Sequence, residues 1–266
     1  MGRFSVLVVP KLRKSFVKAA SYLRLKSHDA ILIPIPRTLQ TLIEDYALGA
    51  PYELFVEKLK LSKLVSEPLA PWIHIFEPLF RVLREIKHTH QLLNIFCYKD
   101  PAYEEKSTQI AVEISMLTFN TASTGKIDLD VWRRLLESKL LAEAEAFQQE
   151  ASFIFGLAES YSDTVCISGI RGGAVFKRLG RLGRNVQLAY IDLPYFFTPL
   201  EILRNEIQLE SRRGRLTNDR MEELIHEHIR YVRECILRSS DLDEAYLRWV
   251  AMYRSRFVSE GIVQNA

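Results

Sequence analysis

Residues 4–35, FSVLVVPKLRKSFVKAASYLRLKSHDAILIPI, carry the clearest fold pattern of the chain. It begins with an apolar run, Phe4–Val9, which Pro10 ends, as is typical of a buried strand. Apolar residues then recur at three-to-four-residue spacing over 12–23, which indicates a helix. A second apolar run covers Ala30–Ile35. This order of strand, helix and strand predicts a βαβ unit whose two strands are parallel.

A second stretch with the same outline lies later in the chain. Its predicted elements are a strand at 164–168, a glycine-containing loop at 169–173, a helix at 174–182 and a strand at 186–192. Phe16 and Phe176 occupy equivalent helix positions in the two stretches. The repeated outline favours an internal duplication, with halves 1–160 and 161–266.

The remaining sequence adds one strand and many helices. An apolar run at 92–98 predicts a further strand, and helical spacing of apolar residues predicts the helices. These helices are 51–65, 78–88, 103–117, 129–158, 199–210, 217–238 and 241–258. We therefore expect an α/β fold with a mainly parallel central sheet built from two similar βαβ units, flanked by helices. A single domain is predicted over 1–266, with a helical C-terminal extension at 199–258.

Composition excludes several protein classes. The chain is 48% hydrophobic and 26% charged, with a net charge of +3, as in ordinary globular proteins. No apolar run has the length of a membrane span, and the N-terminal residues lack a secretory pattern, so a cytoplasmic protein without membrane contact is expected. Acidic residues offset the arginines of 200–266, which argues against an extended nucleic-acid face, although two local basic loops leave nucleic-acid binding open as a weaker alternative. Three separated cysteines and six scattered histidines predict no metal site.

Two stretches without acidic residues contain the candidate site. Residues 1–28 hold seven Lys or Arg, and residues 164–191 hold five. In each, a cationic loop joins a strand end to a helix start, where backbone N–H groups attract anions. Because parallel strands share one carboxyl edge, we expect both loops to bind a small phosphate-bearing anion. The predicted ligand-binding residues are Lys11, Arg13, Arg37, Gly169, Arg171, Gly172 and Gly173. Solvated surface charge is the alternative interpretation.

Two acids at strand ends are the candidate catalytic residues. Asp100 and Asp192 each follow a strand and lie next to prolines, where they could polarise water, act as a general base, form a metal-ligand pair or serve as counter-ions of the cationic loops. Ordinary turn chemistry is the alternative. Asp192 also lies where a dinucleotide-binding turn at Ser168–Gly173 would place its ribose-binding acid. Ser168 replaces a glycine of that turn, so a simple tight turn explains the sequence equally well.

The opening elements resemble those of a known superfamily. A strand at Val6–Val9, a helix at Ser15–Leu25, a strand at Ala30–Ile35 and an Arg-bearing helix at Arg37–Leu42 resemble the TraB, ChaN and erythromycin-esterase-like superfamily. Active members carry Gly-x-x-His after the first strand and Glu after the second. This chain has Val9-Pro10-Lys11 and Ile33-Pro34-Ile35-Pro36 there. The resemblance therefore implies an α/β protein without the usual hydrolytic His and Glu.

Two functions remain open at this point. The first is binding of a small phosphate-bearing anion at the carboxyl edge of the sheet, with hydrolysis or phosphoryl transfer as the candidate reaction. The alternative is a catalytically degenerate interaction module that docks a partner through its helical C-terminal half. An aromatic stripe there comprises Tyr246, Trp249, Tyr253 and Phe257. Core packing explains that stripe equally well. The sequence identifies no cofactor and leaves open both enzyme activity and a homo-oligomer.

Overall fold

The computed structural model describes residues 2–62, 68–183, 185–214 and 216–259. Arg184, in the second acid-free stretch, and the predicted end of a helix at 63–65 lie outside the described residues. The chain forms two compact units. Unit 1 comprises 1–108 and 142–194, and unit 2 comprises 109–141 and 195–266. The predicted single domain and internal duplication stay predictions.

Unit 1 is built on a five-stranded sheet in which all strand pairs are parallel. The strands are β1 (Arg3–Val8), β2 (Ala30–Pro36), β3 (Asn94–Lys99), β4 (Asp163–Ser168) and β5 (Asn185–Tyr190). Their order across the sheet is β3-β2-β4-β1-β5. The predicted α/β fold with a parallel sheet is confirmed. The first strands of the two βαβ stretches, β1 and β4, are direct neighbours.

Helices make up most of the remaining chain, including its C-terminal part, as predicted. They are α1 (Arg13–Arg24), α2 (Gln40–Ala47), α3 (Tyr52–Ser62), α4 (Leu69–Thr89), α5 (Pro101–Thr124), α6 (Leu129–Ser160), α7 (Gly172–Arg181), α8 (Pro199–Arg213), α9 (Asn218–Glu234) and α10 (Leu242–Ser259). Short 3-10 turns occur at Arg37–Leu39 and Ile236–Arg238. Within the described residues, no helix is both long and apolar enough to cross a membrane.

Both faces of the unit 1 sheet are buried, and strand alternation assigns each side chain to one face. On β1, Leu7 belongs to the cluster that contains residues of α1 and α4. Val6 and Val8 belong to the opposite cluster, with residues of α6 and α7. A parallel sheet covered on both faces leaves its edges for ligand contact. The loops at the carboxyl ends of the strands are therefore where a site can form.

Helix α4 begins earlier than the sequence predicts. Pro78 resembles a helix start because proline is favoured in the first turn, but the helix begins at Leu69 and continues through Pro78. Leu69, Ile75 and Phe76 are buried, so packing of the earlier turns stabilises the part of the helix that precedes the proline.

The aromatic stripe lies inside unit 2, which agrees with core packing as the explanation of its spacing. Tyr246 and Trp249 are 5% and 4% exposed. Tyr246 stacks on Tyr195 with ring centroids 5.1 Å apart, and Trp249 packs against Tyr231. The side chain of Phe257 lies outside the described residues. These described aromatic residues therefore form core contacts and offer no docking face.

Candidate anion-binding site at the carboxyl edge

The two cationic loops meet at one edge of the sheet. β1 and β4 pair in parallel, with Val8 opposite Ser168. Beyond the strands, the backbone N–H of Val9 donates to the carbonyl of Ser168 at 2.8 Å. The loops that contain Lys11 and Gly169–Gly173 therefore leave neighbouring strands side by side. Arg37 and Asp100 follow β2 and β3 at the same edge.

The glycines of the second loop have different roles. A Cβ on Gly172 would lie 2.7 Å from Val8 Cγ2, so this glycine allows α7 to pack directly on β1. A Cβ on Gly169 would meet open space, and one on Gly173 would make an ordinary contact with the Tyr190 hydroxyl. Close packing of helix on strand explains Gly172 without a ligand. The first turn of α7 contains no acidic residue.

Arg171 is held by a carboxylate of the chain itself. Its guanidinium forms an ion pair with Glu143 of α6, whose side chain is 8% exposed, whereas that of Arg171 is 36% exposed. Tyr103 lies beside the same carboxylate, and burial together with the Glu143 charge raises the pKa of its hydroxyl. At neutral pH, Tyr103 is therefore a hydrogen-bond donor.

A second group of ion pairs surrounds the ends of β2 and β3. Arg37 lies 3.5 Å from Asp100, and Lys99 lies 3.0 Å from Glu150. The backbone N–H of Asp100 also donates to Glu150 at 3.4 Å. Asp100 is thus a counter-ion of Arg37 in this structure, one of the roles that sequence leaves open for it.

Glu104 is a further acid at this edge and is only partly exposed. Burial raises the pKa of its carboxyl group, the charges of Lys11 and Lys99 oppose that shift, and Glu150 and Asp100 add to it. Lys11 is exposed and makes no ion pair with another described residue. Lys11, Arg37, Lys99, Arg171, Asp100, Glu104, Glu143 and Glu150 together form what we call the carboxyl-edge cluster.

Two predicted site residues, Arg13 and Asp192, form their contacts outside the carboxyl-edge cluster. Arg13 donates to Glu77 of α4 at 2.8 Å. Asp192 accepts a hydrogen bond from Ser15 at 2.9 Å and pairs with Lys14 and Lys18. Burial alone would raise the pKa of Asp192, but the hydrogen bonds and the two lysine charges lower it. The cationic first turns of α1 therefore hold the carboxylate of Asp192.

Sequence reasoning missed several members of the carboxyl-edge cluster. Glu143 and Glu150 are seven residues apart, so they share one face of α6. Their neighbours on that buried face are Ala146, Ala151 and Ile154. Acids on a buried helix face indicate cationic or hydrogen-bonding partners, because acids are rarely buried without a partner. Lys99, Tyr103 and Glu104 are close to Asp100 in sequence, but no motif marks them.

A pocket of about 280 Å³ lies away from this cluster. It is lined by the C-terminal ends of α1 and α4, including Leu23, Lys26 and His90. Its Arg24 and Glu85 pair with each other at 2.7 Å. Because α1 returns from the carboxyl edge to the start of β2, this pocket is at the amino edge, and no group there points to ligand chemistry.

The described residues contain no group of three or more His, Cys, Asp or Glu arranged to hold a metal ion. No family model, curated protein or solved structure matches the chain. The resemblance to the TraB, ChaN and erythromycin-esterase-like superfamily stays a prediction.

Proposed function

We propose that this protein binds a small phosphate-bearing anion at the carboxyl edge of the unit 1 sheet, above the paired ends of β1 and β4. The observation that carries the proposal is the parallel pairing of those strands, which brings Lys11 and the first turn of α7 to one edge. Lys11 is an exposed cation without an ion pair among the described residues. The α7 N-terminus adds backbone N–H groups and the positive end of a helix dipole.

Arg171 joins this site by exchanging partners. Its guanidinium is about one-third exposed, whereas Glu143 is almost fully buried. A bound phosphate would accept hydrogen bonds from the exposed side of Arg171 and weaken its pair with Glu143. Glu143 therefore competes with phosphate for Arg171. It also keeps the guanidinium oriented when no ligand is bound.

Hydrolysis is the reaction class that fits these groups best. Burial raises the pKa of the Glu104 carboxyl group, and the charge of Lys11 is the largest that opposes this shift. Such a group can exchange a proton with water or a leaving group, while Lys11 and Arg171 offset phosphate charge. Asp192, held charged by Lys18 and Ser15, serves as a counter-ion in this scheme.

A thermal-shift panel of inorganic phosphate, adenosine monophosphate and a sugar phosphate tests the binding step. We expect at least one probe to raise the melting temperature of the wild-type protein, and Arg171→Ala and Lys11→Ala to reduce that shift. Arg178→Ala is the matched control, because Arg178 lies on the same helix and pairs with Gln148. Equal shifts in all variants would refute the site.

Release of nitrophenolate from p-nitrophenyl phosphate tests the reaction separately. We expect Glu104→Gln to lose turnover while keeping the ligand-induced thermal shift. The neighbouring Glu105 is exposed, so Glu105→Gln should keep both. A Glu104→Gln protein with wild-type turnover would remove Glu104 from the reaction and leave the binding proposal standing.

A further inference from the structure

Helix α5 is apolar on two faces within unit 2. Its inner face packs Ile110 and Ile114 into the core, where they are 5% and 6% exposed. Its outer face carries Val112, Met116 and Phe119, which are 54%, 62% and 70% exposed. We call these three residues the outer stripe. A helix with apolar residues on more than one side is normally covered on those sides, and no described residue covers the outer stripe.

The outer stripe has the spacing of a helix-pairing seam. Val112, Met116 and Phe119 are four and three residues apart, which is the repeat of the apolar positions in a coiled coil. Gln109 and Ser123 continue the same spacing at either end, and both are exposed. The seam therefore runs straight along α5 and has polar ends, as a short pairing surface requires.

Helix α5 itself carries almost no charge beside the outer stripe. Between Lys106 and Lys126, Glu113 is the single charged residue. The exposed side of α5 therefore offers little electrostatic attraction of its own to nucleic acid or to a strongly charged peptide. The partner that fits it is an uncharged helix with apolar residues at the same spacing. A second copy of α5 meets that requirement without any further assumption.

We propose that the protein forms a homodimer in which two outer stripes pack antiparallel about a two-fold axis near Met116. This arrangement sets Val112 of one copy opposite the partner's Phe119 and places Met116 beside its own counterpart. The small Val112 then faces the large Phe119 at both ends of the seam, with the flexible methionine pair between them, which fills the space evenly. A parallel pair would set phenylalanine against phenylalanine and valine against valine. Antiparallel helices also oppose their dipoles favourably.

The exposed area predicts a weak dimer. Three side chains of this size and exposure offer on the order of 300–400 Å² per copy, an exposed patch size that is often functional. A stable interface buries about 800 Å² per partner. We therefore expect association at protein concentrations of tens to hundreds of micromolar.

Sedimentation equilibrium between 5 and about 500 µM protein tests the association. The wild-type mass should rise from the monomer value of 30.8 kDa toward twice that value. Met116→Lys and Phe119→Lys should weaken association at least tenfold with unchanged circular dichroism. Leu92→Lys is the control, because Leu92 is 92% exposed elsewhere. A wild-type protein that stays monomeric, or a dimer unaffected by both stripe variants, would overturn the proposal.

Cysteine cross-linking tests the antiparallel geometry. The three native cysteines are buried, so their background is low. Under mild oxidation, Met116→Cys should form a disulfide-linked dimer readily, and Leu92→Cys should not. A mixture of Val112→Cys and Phe119→Cys proteins should cross-link faster than either protein alone. The reverse result, with each single variant linking faster than the mixture, would indicate a parallel pair and contradict the proposed axis.

Discussion

Arg13 donates a hydrogen bond to the backbone carbonyl of His74, the acceptor that Pro78 leaves without its helical donor. In an α-helix, the N–H of residue 78 would bond to the carbonyl of residue 74, but proline has no N–H. The Arg13 guanidinium supplies the missing donor and also bonds to Glu77 at 2.8 Å. A residue predicted to hold a ligand thus holds α4 together across its proline.

This contact predicts a specific coupling in stability. Arg13→Ala should lower the free energy of unfolding by about 1–3 kcal/mol, because it removes the Arg13 donor from the His74 carbonyl and one of the two arginines that bond to Glu77. In a Pro78→Ala background, residue 78 regains its N–H, so the same substitution should cost at least about 1 kcal/mol less. Urea unfolding of the four proteins measures the difference.

Arg81→Ala is the control for that cycle. Arg81 also bonds to Glu77, but its side chain is 61% exposed and lies next to Glu77 on the same helix. The cost of Arg81→Ala should be the same in the wild-type and in the Pro78→Ala background. Equal costs of Arg13→Ala in both backgrounds would show that Arg13 does not replace the missing N–H.

Two glycines three residues apart should respond differently to alanine. Gly172→Ala forces a Cβ to within 2.7 Å of Val8 Cγ2, so it should destabilise the protein by about 1–3 kcal/mol. Gly169→Ala meets open space and should change stability by less than about 0.5 kcal/mol. Thermal and urea unfolding check both values. If Gly172→Ala were neutral, α7 would not pack on β1 as closely as the structure has it.

His228 of α9 is buried in unit 2 as a neutral imidazole. Thr118 donates its hydroxyl hydrogen to the Ile114 carbonyl at 2.7 Å, so the His228 Nε2–H donates to the Thr118 oxygen at 3.2 Å. The Nδ1 atom is buried without a hydrogen-bond partner among the described residues. Burial lowers the pKa of His228 from 6.5 to about 4, because a second proton on Nδ1 would be a buried charge.

This shift predicts how stability depends on pH. The unfolded chain takes up the His228 proton near pH 6.5 and the folded chain only near pH 4, so the stabilisation is complete above pH 6.5 and is lost as pH falls to 4. The loss is about 3 kcal/mol. Urea unfolding from pH 7 to pH 4 should show it in the wild-type protein and in His226→Gln, whose histidine is exposed. His228→Gln should lack it, and an unchanged slope would contradict the neutral buried imidazole.

The strands and their direction could be predicted from sequence because apolar runs and βαβ spacing are local signals. Four of the five strands match their predicted starts to within one residue, whereas β3 begins two residues later than predicted. The start of helix α4 was harder to predict, because the hydrogen bond that stabilises the helix next to Pro78 comes from Arg13, 61 residues away from His74 in sequence. Strand order depends on packing of distant segments, which no local pattern records.

The candidate site was predictable in its location but not in its partners. Parallel strands bring Lys11 and Arg171 to one edge, and the spacing of the βαβ units is enough to predict that. Sequence does not predict that Glu143 pairs with Arg171 or that Lys18 pairs with Asp192, since each pair joins segments far apart in the chain. These carboxylates neutralise most of the positive charge at the edge. A bound anion must therefore displace a carboxylate from a cation.

Isothermal titration of three proteins with inorganic phosphate measures whether the carboxyl edge binds an anion. The wild-type protein should bind, and Arg171→Ala should weaken binding by about 1–3 kcal/mol, the scale of a charged hydrogen bond. Glu143→Gln removes the internal competitor of Arg171, so it should tighten binding by about 1 kcal/mol, or roughly fivefold. Absence of binding in all three proteins, or equal affinities in Glu143→Gln and Arg171→Ala, would contradict an anion site at the carboxyl edge.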